Sequence, residues 1–232
     1  MDPRHLSIDE RLTGRCVYCG AVPDSRDHCP SKVLLDEPFP ANLPIVEACA
    51  ECNNSFSLDE QYVACLIECV ICGSVNPNDV SRQNIKRILA DTPRLAAGLS
   101  ATQRLDDSGS IAWDVDRDRV RRVVLKLARG HIAYEFSLPK IEEPEAVSFV
   151  PLILLSDEQR SEFESPGNSP LELWPEIDSR AFKHCAENMP SPESAEWTAV
   201  QPGRYRYSVS QSDGDSVRLV LSEYLACHVA WH

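Results

Sequence analysis

Between residues 116 and 136 apolar side chains recur at helical spacing: Val120, Val123, Val124, Leu127 and Ala128 form one stripe. Residues three and four apart share a helix face, so this pattern predicts the strongest helix of the chain. Arg122, Lys126 and Arg129 fall on another face of it, with Arg117, Arg119 and Arg121 nearby. An earlier helix is expected to begin between residues 50 and 57, to run to about Cys72 and to stop near Gly73, Asn76 and Pro77. Ser57 and Glu60 have the form of a capping box, either opening that helix or lying within it. Residues 79–100 read as one or two helices, with Pro93 starting the second or kinking the first. Ser108-Gly109 is a turn, and residues 111–115 a short strand.

The period changes after residues 139–144, an acidic linker with two prolines. The run 147–155 is mostly apolar and suits a buried strand, and 157–164 a short helix. Residues 165–170 read as a turn-rich loop. Segments 196–200, 204–211, 216–222 and 225–231 read as strands, with Ser212-Asp213-Gly214-Asp215 as a hairpin turn. Tyr205, Tyr207, Tyr224 and Trp231 alternate enough to fill a core, or alternatively to stack bases. Earlier, residues 1–12 are a short polar lead-in, and 35–44, with three prolines, a non-helical loop. The expected class is α+β: an N-terminal module over 1–75, a helical region over 76–138 and a β-rich lobe over 139–232.

Composition narrows the possibilities. An apolar share of 43% in 232 residues supports a real core. No apolar run reaches spanning length and no leader pattern opens the chain, so a soluble, cytoplasmic protein without membrane contact is expected. Ten cysteines, four of them at ligand spacing, fit a reducing compartment better than a disulfide scaffold. The net charge of −13 removes any chain-wide attraction to phosphate. Nucleic-acid binding would need a local basic patch, a partner protein or homo-oligomer, or deliberately weak contact. Arg122, Lys126 and Arg129 are the candidate patch; the alternative is a solvated face paired with Asp116 and Asp118.

The densest chemistry lies between Arg15 and Ser57. Cys16-Val17-Tyr18-Cys19 and Cys49-Ala50-Glu51-Cys52 are two CxxC pairs. Each directs two thiolates at one ion, and together they complete a closed tetrahedral shell suited to structural Zn2+. Asp27-His28 lies between the pairs, and Asn53 directly follows Cys52. On an extended strand Asp27 and His28 point to opposite sides, one toward a second metal and one toward an incoming water. The Asn53 amide oxygen is a hard ligand suited to Mg2+ or Mn2+. Two such ligands, open coordination positions and a nearby base make up a metal-assisted phosphodiesterase site.

CVYCG, DHCPS, NLP and CAECN together resemble the HNH endonucleases of ββα-metal fold, in their zinc-stabilised four-cysteine branch. The resemblance covers about residues 13–60. It implies that His28 is the general base, that Asn42 orients it, and that Asp27 and Asn53 hold the catalytic ion. It also implies that Cys16, Cys19, Cys49 and Cys52 bind the zinc. The pattern departs at Phe56, near where many members carry Lys or His. The implied activity is hydrolysis of DNA, with RNA left open. The acidic charge and the extra C-terminal lobe lean toward a partner-dependent form, such as a bacterial defence or restriction effector. The alternative is a zinc-knuckle module that binds nucleic acid or protein without cutting. Other candidates are weaker. Cys65, Cys69 and Cys72 share a helix face, as a second metal or redox site or as buried small side chains. His184, Cys185, Cys227 and His228 could make a distant second site, and His131 reads as structural.

Overall fold

The computed structural model describes residues 14–105, 111–165, 197–211 and 214–231. The lead-in, the turn at Ser108-Gly109, most of the 165–170 loop, Ser212 and Asp213, and His184 with Cys185 lie outside the described residues.

The first pairing is short. β1 (Ser25–His28) runs antiparallel to β2 (Ile45–Ala48), with Asp27 opposite Val46 and His28 opposite Ile45. One residue later α1 (Ala50–Cys72) begins. Cys49 caps it, its Sγ accepting the Cys52 N–H at 3.4 Å. Gly73 ends it at φ 70°, a left-handed conformation that needs no Cβ, and its N–H reaches the Cys69 and Val70 carbonyls. Ser57 lies inside the helix, its hydroxyl bonded to the Asn54 carbonyl at 2.9 Å, so the helix is already running there.

α2 (Gln83–Asp91) and α3 (Pro93–Ala101) are separate helices. Pro93 opens the second, where its missing N–H has no partner to lose. β3 (Gln103–Leu105) and β4 (Ile111–Trp113) form a hairpin. α4 (Arg117–Phe136) starts at Asp116, whose carboxylate accepts the Arg119 N–H at 3.2 Å. Then come β5 (Ala146–Pro151), a 3-10 turn over Leu152–Leu154, and α5 (Asp157–Glu164), capped reciprocally by Ser156 and Gln159. β6 (Thr198–Gln201), β7 (Tyr205–Ser210), β8 (Asp215–Leu221) and β9 (Leu225–Trp231) complete an antiparallel sheet in the order β5-β9-β8-β7-β6. The described residues therefore form a mixed fold of five α-helices and a five-stranded sheet, with a cysteine cluster near the N-terminal end.

The apolar run at 147–155 is only partly strand. Pro151 lacks an N–H and closes β5, which lies at the sheet edge. Ile153 and Leu154 beyond it are 83% and 69% exposed rather than buried. The aromatics behave as core: Tyr205, Tyr207 and Trp231 are buried, and Tyr224 packs against them at the margin.

α4 organises the packing. It lies against α1 and against β5, β7, β8 and β9. Every residue from Val123 to Ala128 is buried, Lys126 included. A helix enclosed in this way has no solvent face along its middle. The expected basic row is therefore interrupted, because Lys126 is 1% exposed. A second tie joins distant segments. Arg82 and Arg204 contact Asp36 at 2.6 and 2.5 Å and Glu68 at 3.6 and 3.1 Å. This quartet links the loop after β1, α1, the start of α2 and the turn before β7. Among the described residues no helix is long and apolar enough to cross a membrane.

Candidate metal centre

Cys16 and Cys19 sit in a tight turn before β1. The Gly20 N–H reaches the Cys16 carbonyl at 2.8 Å, and the Cys16 N–H reaches the Ala21 carbonyl at 2.7 Å. Cys49 and Cys52 stand at the cap and first turn of α1. The four sulfurs all lie within 4.8 Å of one another, and Cys19 and Cys49 are 3.7 Å apart. A tetrahedral zinc with bonds of about 2.3 Å separates its sulfurs by about 3.8 Å. Donor type, number and spacing therefore suit a zinc ion. Burial pushes the Cys16 thiol up, but N–H groups of Cys49, Tyr18 and Cys19 outweigh it and leave the thiol below its usual value. Backbone donors aimed at sulfur favour the thiolate that a metal takes.

The cluster joins the hairpin to the helix, and other contacts reinforce the junction. The Val17 N–H bonds the Glu47 carbonyl at 3.0 Å, and the Ala50 N–H bonds Asp24 Oδ1 at 2.5 Å. Asn53 Nδ2 donates to Ser25 Oγ at 2.8 Å and to the Arg26 carbonyl at 3.2 Å. Asn53 is thus tied to β1 beside the Asp27–His28 pair.

Strand alternation sends Asp27 and His28 to opposite sides, as expected. Asp27 is buried, 7% exposed, and His28 is half-buried. The Asp27 carboxylate enters a polar cluster. Its Oδ2 accepts from the Tyr18 hydroxyl at 2.8 Å and pairs with Lys126 Nζ at 2.7 Å. Lys126 Nζ also contacts Glu60 Oε1 at 2.5 Å and donates to Ser31 Oγ at 2.7 Å, while the Ser31 hydroxyl donates to Glu60. Burial pulls the Lys126 ammonium down, yet the charges and hydrogen bonds of Glu60 and Asp27 outweigh it and leave it above the usual lysine value. The lysine therefore stays charged where it meets Asp27 and Glu60.

The remaining candidates separate. Asn42 is exposed in the turn leading to β2. Arg122 is half exposed and bonds Asp59 at 2.7 Å. Arg129 is mostly buried and bonds the Ile141 and Glu142 carbonyls at 2.9 and 3.0 Å. His131 is fully buried; its Nε2 faces the Tyr205 hydroxyl at 2.8 Å, and its ring stacks on Tyr207 at 3.7 Å. Burial, with the Lys126 charge adding to it, lowers its pKa to about 3. Cys65 and Cys69 are buried and their thiols are pushed up to about 12, first by desolvation, while Cys72 is exposed. Among the described residues, Cys16, Cys19, Cys49 and Cys52 are the one group of this kind close enough to share an ion.

Lys126, Glu60, Tyr18 and Ser31 were not foreseen around Asp27. The available signal is a lysine between Leu125 and Leu127 in the run Val-Val-Leu-Lys-Leu-Ala. No family model, no curated protein and no solved structure matches the chain.

Proposed function

We propose that this chain is a zinc-stabilised endonuclease of the HNH type that hydrolyses DNA phosphodiester bonds with a divalent ion. The observation that carries the reading is the cysteine-pinned junction, in which Asn53 is hydrogen-bonded to the strand holding Asp27 and His28. The zinc fixes backbone and takes no part in chemistry, since four thiolates leave no position for water. Asp27 and Asn53 would hold the divalent ion. Both offer oxygen, the donor that Mg2+ and Mn2+ prefer. Bound there, the ion supplies charge stabilisation at the phosphate. An imidazole nitrogen of His28 takes the proton of the attacking water, and Asn42 orients the ring. Such a base is worth about a hundredfold or more in rate.

The acidic composition keeps binding to nucleic acid dependent on local cations or on a partner. Arg26 is exposed and lies on the same side of β1 as His28, which makes it the nearest strand-borne cation for a phosphate. A role as a bacterial defence effector belongs with this partner-dependent form. One observation favours a second reading, a zinc-knuckle module that binds without cutting. The Asp27 carboxylate already has a cation in Lys126, at 2.7 Å.

Supercoiled plasmid incubated with Mg2+ or Mn2+ separates the two readings. The nuclease reading expects nicking by the wild type and loss of about a hundredfold or more in His28→Ala, with zinc content unchanged. Equal cleavage by both proteins removes His28 as the base. Plasmid binding without cleavage by either favours the module.

A further inference from the structure

We infer that Lys126 is a built-in cation at the Asp27 carboxylate, a positioning residue that sets how tightly a divalent ion is held at that carboxylate. The inference deepens the nuclease reading and rests on its assignment of Asp27 as a ligand. Three oxygens, Asp27 Oδ2, Glu60 Oε1 and Ser31 Oγ, surround Nζ at 2.7, 2.5 and 2.7 Å. All four side chains are buried. The arrangement is one that oxygen ligands make around a cation, and the ammonium fills it. Lys126 comes from α4, a helix outside the cysteine-pinned junction, so the site's charge is completed by the central helix of the fold.

The physical consequence has a definite sign. Two carboxylates close together in a buried place repel each other and attract any cation. Lys126 cancels one of their two charges. It also orients Asp27 through Oδ2, together with the Tyr18 hydroxyl. A divalent ion approaching Asp27 therefore meets a carboxylate whose charge is shared with a fixed ammonium at low dielectric, where the repulsion between cations is strong. Removing that ammonium takes one of the bonds from Asp27 Oδ2, Glu60 Oε1 and Ser31 Oγ and opens them to a cation, while the Tyr18 hydroxyl still holds Asp27.

The test is Mn2+ binding to the zinc-loaded full chain, read by electron paramagnetic resonance, in wild type and Lys126→Met. Methionine keeps the unbranched shape, one atom shorter, and removes the charge. The variant should bind Mn2+ about tenfold or more tightly than wild type, and Asp27→Asn added to it should abolish the gain. If Lys126→Met does not fold, Lys126→Gln, which removes the charge and keeps a hydrogen-bonding end, should still bind Mn2+ more tightly than wild type. Unchanged Mn2+ affinity in the folded variant overturns the inference. Cleavage is not the readout. A gain in Mn2+ affinity in a chain that never cuts leaves the inference standing and removes the nuclease reading. A nicking wild type with unchanged Mn2+ affinity in the variant does the reverse.

Discussion

β1 and β2 pair over four residues each, whereas β8 and β9 pair over seven and β7 and β8 over six. The apolar packing differs in the same direction. Around the hairpin the buried cluster is Cys16, Val17, Tyr18, Val46, Ala48 and Ala133. The C-terminal sheet contributes Tyr205, Tyr207, Val217, Leu219, Leu221, Cys227, Val229 and Trp231 to the main core. A short two-stranded ribbon is marginal in water unless something else holds it. Here the convergent sulfurs supply that hold. A metal at these sulfurs would replace core at the hairpin, while the sheet is held chiefly by apolar burial.

Zinc removal breaks this comparison most severely. Structural zinc contributes roughly 10 kcal/mol or more of apparent binding free energy at neutral pH. Chelation, or Cys52→Ser, should strip hydrogen-exchange protection from β1 and β2 while β7, β8 and β9 keep theirs. Equal loss across both regions would show that the hairpin is not separately held by its cysteines.

A smaller effect sharpens the other side. His131 is neutral in its buried site against Tyr205 and Tyr207, with a pKa lowered from 6.5 to about 3 by burial and by the Lys126 charge. Between these values the unfolded chain binds a proton that the native chain does not. The contribution of His131 is therefore intact above pH 6.5 and is lost as pH falls toward 3. The slope is about 1.4 kcal/mol per pH unit for one proton. Denaturant titrations over this window should show a shallower acid decline in His131→Gln than in wild type. An identical decline would mean that His131 charges within the folded protein.

Local pattern carried much of this structure. The CxxC spacing located the sulfur cluster because a turn of four residues fixes two thiols whatever surrounds it. Gly73, Pro93 and Asp116 marked helix ends, since their backbone preferences act within a single turn. What pattern could not give was burial imposed by distant elements. Lys126 reads as surface because lysine ordinarily is, yet the sheet covers α4 on one side and α1 on the other. Glu60 reads as half of a capping box, yet it faces Lys126 across sixty-six positions. The Asp36, Glu68, Arg82 and Arg204 quartet joins segments up to 168 residues apart, which no window along the chain can contain. The strand expected over 147–155 was stopped by Pro151, a residue that the apolar run obscured.

Zinc K-edge X-ray absorption on the purified chain bears most directly on the pinned junction. One zinc per chain with four sulfurs at about 2.3 Å is the expected shell, and Cys16→Ser should replace one sulfur or lose the metal. A shell containing nitrogen in the wild type, or a folded chain with no bound zinc, would contradict the pinned junction on which the proposed site rests.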